Sequence, residues 1–335
     1  MARSERNGSF LTQGCQQHCA THGFEELNEI SVPAMQHSEA TNRALNSRTG
    51  ALLVIASALT FSLSGVLTKT IEADGWTILC WRGLIGGLMI AIYVAVRRRH
   101  RSIGTAFRLG PQGWILATIG SLASIAFIYA FRLTYVANVT LIYSTVPFMT
   151  AALGWWLLRE HVPTRALVAG VVSFAGVICI SVNAGGAFNL GGDLLAVIMT
   201  FGNALYIVLV RRFQVTSTVW AGGASALQLF FVGCLMTDPL AVSWQDSLLL
   251  VLFGLTFAAA IVLWTEGTRL IAAAQSGLLG TIDTPVAILL AWLILAELPS
   301  AGTLLGGAIV LTAVLGHAAI DALQTRESTK HTKPM

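Results

Sequence analysis

The 335-residue chain is 55% hydrophobic and only 11% charged, and its formal net charge is +4. Soluble domains carry about a quarter charged residues, so this composition excludes an ordinary soluble enzyme and indicates a protein of the lipid bilayer. No P-loop, dinucleotide fingerprint or nucleophile motif is present in the sequence, and no cofactor or metal is expected.

The chain begins with a polar segment, residues 1–48, which contains no apolar run and is predicted to be a disordered N-terminal tail. Met35 offers an alternative start, and the sequence leaves open whether residues 1–34 are translated. A second polar tail is predicted at residues 324–335. No disulfide framework is indicated, and the thiols of Cys80, Cys179 and Cys234 are expected to behave as small apolar groups.

Between the tails, apolar segments follow one another with short breaks, and a bilayer-spanning helix needs roughly 20 such residues. The segments are apolar on all sides, whereas a helix at the surface of a soluble protein has one polar face. We therefore predict an all-α integral membrane protein with ten transmembrane helices. The predicted spans are 50–69, 76–96, 114–133, 136–158, 166–182, 194–210, 217–236, 247–266, 274–295 and 302–320.

Basic residues indicate the orientation, because cytoplasmic loops collect Lys and Arg. With both termini in the cytoplasm, ten spans place 17 of the 20 basic residues on the inner side. Lys69 and Arg132 then lie outside, and Arg82 lies within a span. The opposite orientation would reverse this bias. We therefore predict a multi-pass protein of the cytoplasmic (inner) membrane, and the net positive charge does not indicate nucleic-acid binding.

The pattern Arg–Pro–Glu–Gly occurs twice. The two copies are Arg132, Pro147, Glu160 and Gly170, and Arg269, Pro285, Glu297 and Gly307. The intervening residues number 14, 12 and 9 in the first copy and 15, 11 and 9 in the second. Since each half has five spans, an odd number, the halves enter the bilayer from opposite faces. The sequence thus predicts two inverted five-helix repeats, residues 50–182 and 192–320, which favours alternating access.

Two similar segments near the ends of the halves resemble the EamA domains of the drug/metabolite transporter superfamily. Glu160, Pro163 and Gly170 carry the resemblance in the first half, and Glu297, Pro299 and Gly307 carry it in the second. The second copy departs from the first by having Pro two residues after Glu instead of three. The resemblance implies a secondary transporter of small metabolites, such as amino acids or related compounds, and does not identify the compound.

Asp283 is the sharpest candidate for a functional residue. It lies about nine residues into the ninth span, or about 13 Å at 1.5 Å per residue, and an ionisable group near the bilayer centre is costly. The residue at the same distance from the first-half proline is Thr145. Asp283 could couple transport to protons or bind a cationic part of the substrate. The alternatives are a carboxylate satisfied by hydroxyls such as Thr281 and Thr284, and one that faces the cytoplasmic vestibule.

Arg82 is the opposite charge, in the second span. Its planar guanidinium could hold a substrate carboxylate. The alternatives are a side chain that snorkels to the interface or one that bonds neighbouring helices.

The remaining candidates are polar, aromatic or proline residues of the spans. Tyr143, Asn203 and Tyr206 are predicted to line a cavity with Asp283, and Trp264 is a further candidate for substrate binding. The alternative for each is a hydrogen bond between helices. Pro147 and Pro285 are predicted to kink the fourth and ninth helices beside that cavity, and the alternative is a kink that serves packing alone. Glu160 and Glu297 are expected to brace the start of the next helix, and Glu266 is expected to pair with Arg269 one turn away.

Three functions are compatible with these features. A secondary transporter accounts for the inverted repeat and for Asp283, with a lipid bilayer and a small-molecule substrate as partners. An intramembrane or lipid-modifying enzyme would need a cluster of catalytic groups, and a scaffold would need neither feature. Direction of transport, the coupling ion and assembly as a homo-oligomer stay open.

Overall fold

The computed structural model describes residues 47–97, 107–159, 164–182, 190–213, 218–271 and 279–331, and within these ranges it contains helices and no strand. Residues 50–335 form one compact unit. Of the other unit, residues 1–49, only the first turn of a helix at 47–49 is described. The predicted N-terminal tail therefore lies almost wholly outside the described residues.

The helices lie at the positions of the predicted spans, although several differ from them in length. They are α1 (Ser47–Thr70), α2 (Gly75–Arg97), α3 (Gly110–Leu133), α4 (Val136–Tyr143), α5 (Val146–Leu158), α6 (Thr164–Val182), α7 (Leu190–Phe213), α8 (Thr218–Met236), α9 (Trp244–Leu270), α10 (Asp283–Leu295) and α11 (Ala301–His331). In the described part of the chain, seven spans are long and apolar enough to cross a membrane. One of these, Val136–Leu158, comprises α4 and α5 together.

Three predicted spans correspond to shorter apolar helices, whose apolar stretches are Leu167–Cys179, Asp283–Leu295 and Ala301–Gly316. The structure thus shows an all-helical protein suited to a membrane, and the count of ten spans stays a prediction at these three. The last helix also continues to His331, into the predicted polar tail. Gln, Arg, Glu and Lys are good helix formers, so the helix can extend beyond its apolar part.

Small residues allow the helices to approach closely, as is common in membrane bundles. A Cβ on Gly83 of α2 would lie 2.8 Å from the Phe230 backbone nitrogen of α8. A Cβ on Gly176 of α6 would lie 2.8 Å from the Gly306 carbonyl of α11. These contacts set the α2–α8 and α6–α11 pairs, which both join the first half of the chain to the second.

The largest buried cluster lies where α3, α4 and α7 meet α10 and α11. Val139 and Ile142 are fully buried in it, and Met199 is 1% exposed. Gly307 of the predicted motif contacts this region, since a Cβ there would lie 2.7 Å from Leu141. Gly170 lies against Phe148. Both motif glycines are therefore packing positions, and Glu160 and Pro163 lie outside the described residues.

Candidate functional site

The fourth and ninth spans are interrupted near their middles. In the fourth, α4 ends at Tyr143 and α5 begins at Val146. In the ninth, a turn at 281–282 precedes α10, which begins at Asp283. The second segments match closely, because α5 and α10 both have 13 residues. Both also end on a left-handed residue, Arg159 with φ 55° and Ala296 with φ 54°.

The prolines explain why the breaks occur there. Pro147 has no N–H to donate to the Tyr143 carbonyl four residues earlier, and Pro285 has none for Thr281. Both rings lie in the first turn of the second segment, where a missing donor is tolerated. The predicted kinks are therefore interruptions, and both prolines are exposed. If Pro147 and Pro285 contribute to a cavity, they do so by interrupting the helices, and not through contacts of their rings.

Asp283 opens the second segment of the ninth span. The helix that Asp283 opens, α10, packs on α4, which ends at Tyr143 of the fourth span. The Asp283 Oδ1 atom is buried and has no hydrogen-bond partner among the described residues. The structure thus brings the two interruptions together, with an acid on one side and a phenol on the other.

Trp264 of α9 lies beside the same interruption. A Cβ on Gly280, three residues before Asp283, would lie 2.8 Å from the Trp264 ring. The indole therefore needs glycine at this position in order to pack against the break.

Asp283 and its surroundings are the first charged centre of the candidate site, and Arg82, which lies within the bundle, is the second. Its side chain is buried at 5% exposure, and its guanidinium carbon lies 4.3 Å from the Phe257 ring centroid, 5.2 Å from Phe127 and 5.3 Å from Phe253. The Nη2 atom donates a long hydrogen bond of 3.4 Å to Ser124. The Nη1 atom is buried without a partner among the described residues. The side chain does not reach the edge of the bundle, as the snorkelling alternative requires.

The Arg82 guanidinium therefore has N–H groups that could still donate hydrogen bonds. Aromatic faces attract a guanidinium, but they accept no strong hydrogen bonds, and a buried charge is stable only when paired or well hydrogen-bonded. Within the described part of the chain, no salt bridge involves Arg82. A bound anion would supply the missing acceptors in a planar, two-point geometry. Phe127 also packs against the core cluster that contacts Tyr143, which connects the two centres.

The other predicted cavity residues lie elsewhere. Asn203 donates to the Met199 carbonyl of its own helix at 3.0 Å. Tyr206 packs with Leu116 and Ala221, where α3, α7 and α8 meet. Of the four residues predicted to share a cavity, the structure therefore brings together Tyr143 and Asp283.

Sequence reasoning missed a polar cluster between α3 and α8. Ser121 donates to the Gln228 side chain at 2.7 Å and lies 3.2 Å from the Ser225 hydroxyl. Gln228 also contacts Thr118 at 3.5 Å. The sequence did contain a signal for this cluster, namely hydroxyl and amide residues spaced three or four apart in two spans. Such side chains form hydrogen bonds between membrane helices.

A second missed network joins the ends of several helices. Thr134 donates to Asp193 at 3.0 Å, and the Asn138 amide reaches the same carboxylate at 3.4 Å. The Thr303 hydroxyl donates to the side-chain oxygen of Asn138, Oδ1, at 3.0 Å. Asp193 opens α7, and an acid in a first helical turn was the signal that could have identified it.

Glu297 braces a different helix from the one predicted. Its Oε2 accepts the Val136 N–H of α4 at 3.0 Å, and its other oxygen pairs with Lys69. The next helix, α11, is capped by Ser300, whose hydroxyl accepts the Thr303 N–H at 3.1 Å. Because a short Ser side chain already fills the cap, the carboxylate is free to reach across to the first half of the chain. Pro299 lies between the two, in the linker at 296–300.

Glu266 has more partners than predicted. The expected pair with Arg269 is present at 2.8 Å. Arg97 of α2 also contacts the carboxylate at 2.9 Å, and the Tyr93 hydroxyl donates to it. The cluster therefore joins α2 to α9, in opposite halves of the chain.

Comparisons with known proteins agree with the fold and the motifs. Residues 48–182 match the EamA-like transporter family. The uncharacterized transporter YdfC of Bacillus subtilis is 25% identical over 267 residues, which cover 72% of this chain and 82% of the relative. An uncharacterized transporter of Synechocystis is 26% identical over 279 residues, covering 74% and 76%.

One solved crystal structure superimposes with a TM-score of 0.60 at 19% identity, over 84% of this chain and 98% of the other. At that identity, the likeness shows a shared fold alone. The family match agrees with the resemblance that the motif around Glu160 indicated, because residues 48–182 are similar to the EamA-like transporter family. The relatives, which are named as transporters, are consistent with the drug/metabolite transporter superfamily.

Proposed function

We propose that this protein is a secondary transporter of small amphipathic metabolites, such as amino acids or related compounds, in the cytoplasmic membrane. It has ten spans, both termini in the cytoplasm, and two inverted five-span halves that alternate between inward-open and outward-open states. The observation that carries the proposal is the pair of interrupted spans, which recur at equivalent places in the two halves and meet at Asp283 and Tyr143.

Contacts between the halves support the inverted repeat. The third span packs on the sixth (α3 on α7) and on the seventh (α3 on α8). With the halves exchanged, the eighth span packs on the first and on the second: Ser57 of α1 donates to Ala260 of α9 at 2.8 Å, and α9 contacts α2. The equivalent spans α2–α8, α4–α10 and α6–α11 pack on each other. A two-fold axis in the membrane plane accounts for this set.

Substrate recognition is assigned to the two charged centres. Arg82 offers a buried donor pair to a carboxylate, and the surrounding Phe rings suit an apolar body. Asp283 either binds a cationic group of the substrate or exchanges a proton during the cycle. Helix N-termini at interrupted spans favour negative charge, so the break before α5, whose first turn carries no acid, offers a second place for an anionic group.

The experiment is uptake of candidate metabolites by proteoliposomes that contain the purified protein, under an imposed ion or pH gradient. A transporter gives saturable flux that an intramembrane enzyme or a scaffold does not. Arg82→Gln is expected to weaken the binding of carboxylated substrates by about 1.5–3 kcal/mol, or roughly tenfold to a hundredfold. Arg82→Lys is expected to weaken that binding by less. Unchanged affinity in Arg82→Gln would exclude the carboxylate clamp.

Asp283 is tested separately. Asp283→Asn keeps the shape but cannot ionise, and Asp283→Glu keeps the charge. If Asp283 carries the coupling proton, only the Asn variant loses the pH dependence of gradient-driven flux while retaining exchange of substrate for substrate. Identical pH profiles for wild type and Asp283→Asn would exclude a coupling role.

A further inference from the structure

Two cysteines from opposite halves meet between α2 and α8. The sulfur atoms of Cys80 and Cys234 lie 3.3 Å apart. The helices approach closely here, because a Cβ on Gly233 would lie 2.6 Å from the Cys80 Cβ. A disulfide needs sulfurs about 2.05 Å apart, so small side-chain rotations would suffice to form the bond.

The pair lies near the ends of both helices. α2 begins at Gly75 and α8 ends at Met236. The same ends are joined by a Thr77–Thr237 hydroxyl contact of 3.3 Å and by the Trp81 indole, which donates to the Pro239 carbonyl at 2.8 Å. In the topology of the proposed function, on which this inference rests, these ends face the exterior, where disulfides form and persist.

The two thiols differ in access. Cys234 lies on the surface of the bundle, two residues before the end of α8, whereas Cys80 is buried at 2% exposure. With this end of α8 at the outer membrane surface, a disulfide donor would reach Cys234 first, while Cys80 is already in place to attack the sulfur of Cys234. This is the arrangement of an attacking and a resolving cysteine.

We propose that Cys80 and Cys234 form a reversible disulfide that links the two halves of the transporter and arrests its cycle. The Cys234 thiolate attacks a disulfide donor, such as an oxidised dithiol protein, and releases one donor thiol. The Cys80 thiolate then attacks the Cys234 sulfur, and the mixed disulfide breaks to release the second donor thiol. The cysteines lose two electrons and two protons, and the donor is reduced by the same amount.

The position explains why the bond would stop transport. α2 and α8 are the second spans of their respective halves, so they face each other across the two-fold axis of the proposed inverted repeat. Alternating access requires the outer ends of the halves to separate in one state. A covalent link at these ends prevents that state from forming, and a reducing dithiol restores it.

The test uses a variant in which the other three cysteines of the chain, Cys15, Cys19 and Cys179, are replaced by Ser, so that only Cys80 and Cys234 remain. The reconstituted protein is treated with 4,4′-dithiodipyridine, and the released thiopyridone, the intact mass and a peptide map are measured. We expect two thiopyridones per chain, no retained pyridyl group and a Cys80–Cys234 cross-linked peptide. With Cys80→Ser added, one thiopyridone is released and one pyridyl group is retained. Retention of two pyridyl groups by the pair would overturn the proposal.

Flux through the same vesicles tests the arrest. The oxidised pair is expected to lose most of its transport and to regain it in dithiothreitol, whereas the Cys80→Ser control loses none through cross-linking. Undiminished flux in fully cross-linked protein would overturn the arrest. Absence of flux in the reduced protein would instead refute the proposed transport function, while the mass measurement still decides whether the disulfide forms.

Discussion

The brace at Glu297 offers a quantitative test of the fold, because one carboxylate serves two partners in the other half of the chain. Its Oε2 accepts the Val136 N–H at the start of α4, and its Oε1 pairs with Lys69 at the end of α1. Glu297→Gln keeps an oxygen for the N–H and removes the charge. Glu297→Ala removes both partners.

The two substitutions should differ in cost. The side chains of Lys69 and Glu297 are 20% and 16% exposed, so screening is partial and the ion pair contributes about 1 kcal/mol. An unsatisfied backbone donor at a partly buried helix start costs a further 1–3 kcal/mol or so. We expect the free energy of unfolding to fall by about 1 kcal/mol in Glu297→Gln and by about 2–4 kcal/mol in Glu297→Ala.

Unfolding of the detergent-solubilised variants, followed by denaturant titration or by fluorescence-detected size exclusion after heating, measures these changes. Glu72→Ala is the matched control, since Glu72 is an exposed acid at the same end of the bundle. If the Gln variant is as unstable as the Ala variant, the backbone contact contributes nothing beyond the ion pair. Wild-type stability in both variants would refute the brace altogether.

Three further substitutions test other contacts by the same unfolding assay. Gly83→Ala should destabilise by about 1–3 kcal/mol, because its Cβ would meet the α8 backbone, whereas Gly222→Ala meets no described atom within 4 Å; equal effects would show that close packing at Gly83 is unimportant. Glu266→Gln should cost no more than about 1 kcal/mol and less at high salt, because its partners Arg97 and Arg269 are 57% and 49% exposed. A larger, salt-independent loss would contradict that view. Phe257→Leu should cost about 1–2 kcal/mol by removing the ring nearest to Arg82, while the matched change at exposed Phe231 should cost little. The reverse order would argue against a stabilising contact between Arg82 and the Phe257 ring.

Composition and spacing were sufficient to predict the helical architecture. Apolar length alone predicted the seven long spans, because the hydrophobic thickness of a bilayer fixes how long a spanning helix must be. The same criterion could not show that the span at 136–158 is interrupted after Tyr143. A break depends on hydrogen bonds lost around a proline, and its position depends on what neighbouring helices offer in return.

The site was predicted less completely. Asp283 and Arg82 could be identified from the sequence, because an ionisable residue within an apolar span is costly and is therefore a candidate for function. Their surroundings depend on contacts between helices that are far apart in the chain. Ser57 bonds a residue 203 positions away, and Glu297 bonds one 161 positions away. Periodicity within one helix carries no information about such partners, which is why Glu297 was assigned to the wrong helix.

The two copies of the Arg–Pro–Glu–Gly pattern differ in the contacts that their residues make as well as in sequence. Arg132 donates to the Ala73 carbonyl before α2, whereas the equivalent Arg269 pairs with Glu266. In the proposed inverted repeat, exactly symmetric halves would give two open states of equal energy. A difference in energy between those states must therefore come from residues that differ between the copies. Asp283 is the strongest of these, because its first-half counterpart by distance from the proline, Thr145, cannot ionise and instead donates its hydroxyl to the Ile142 carbonyl at 2.7 Å.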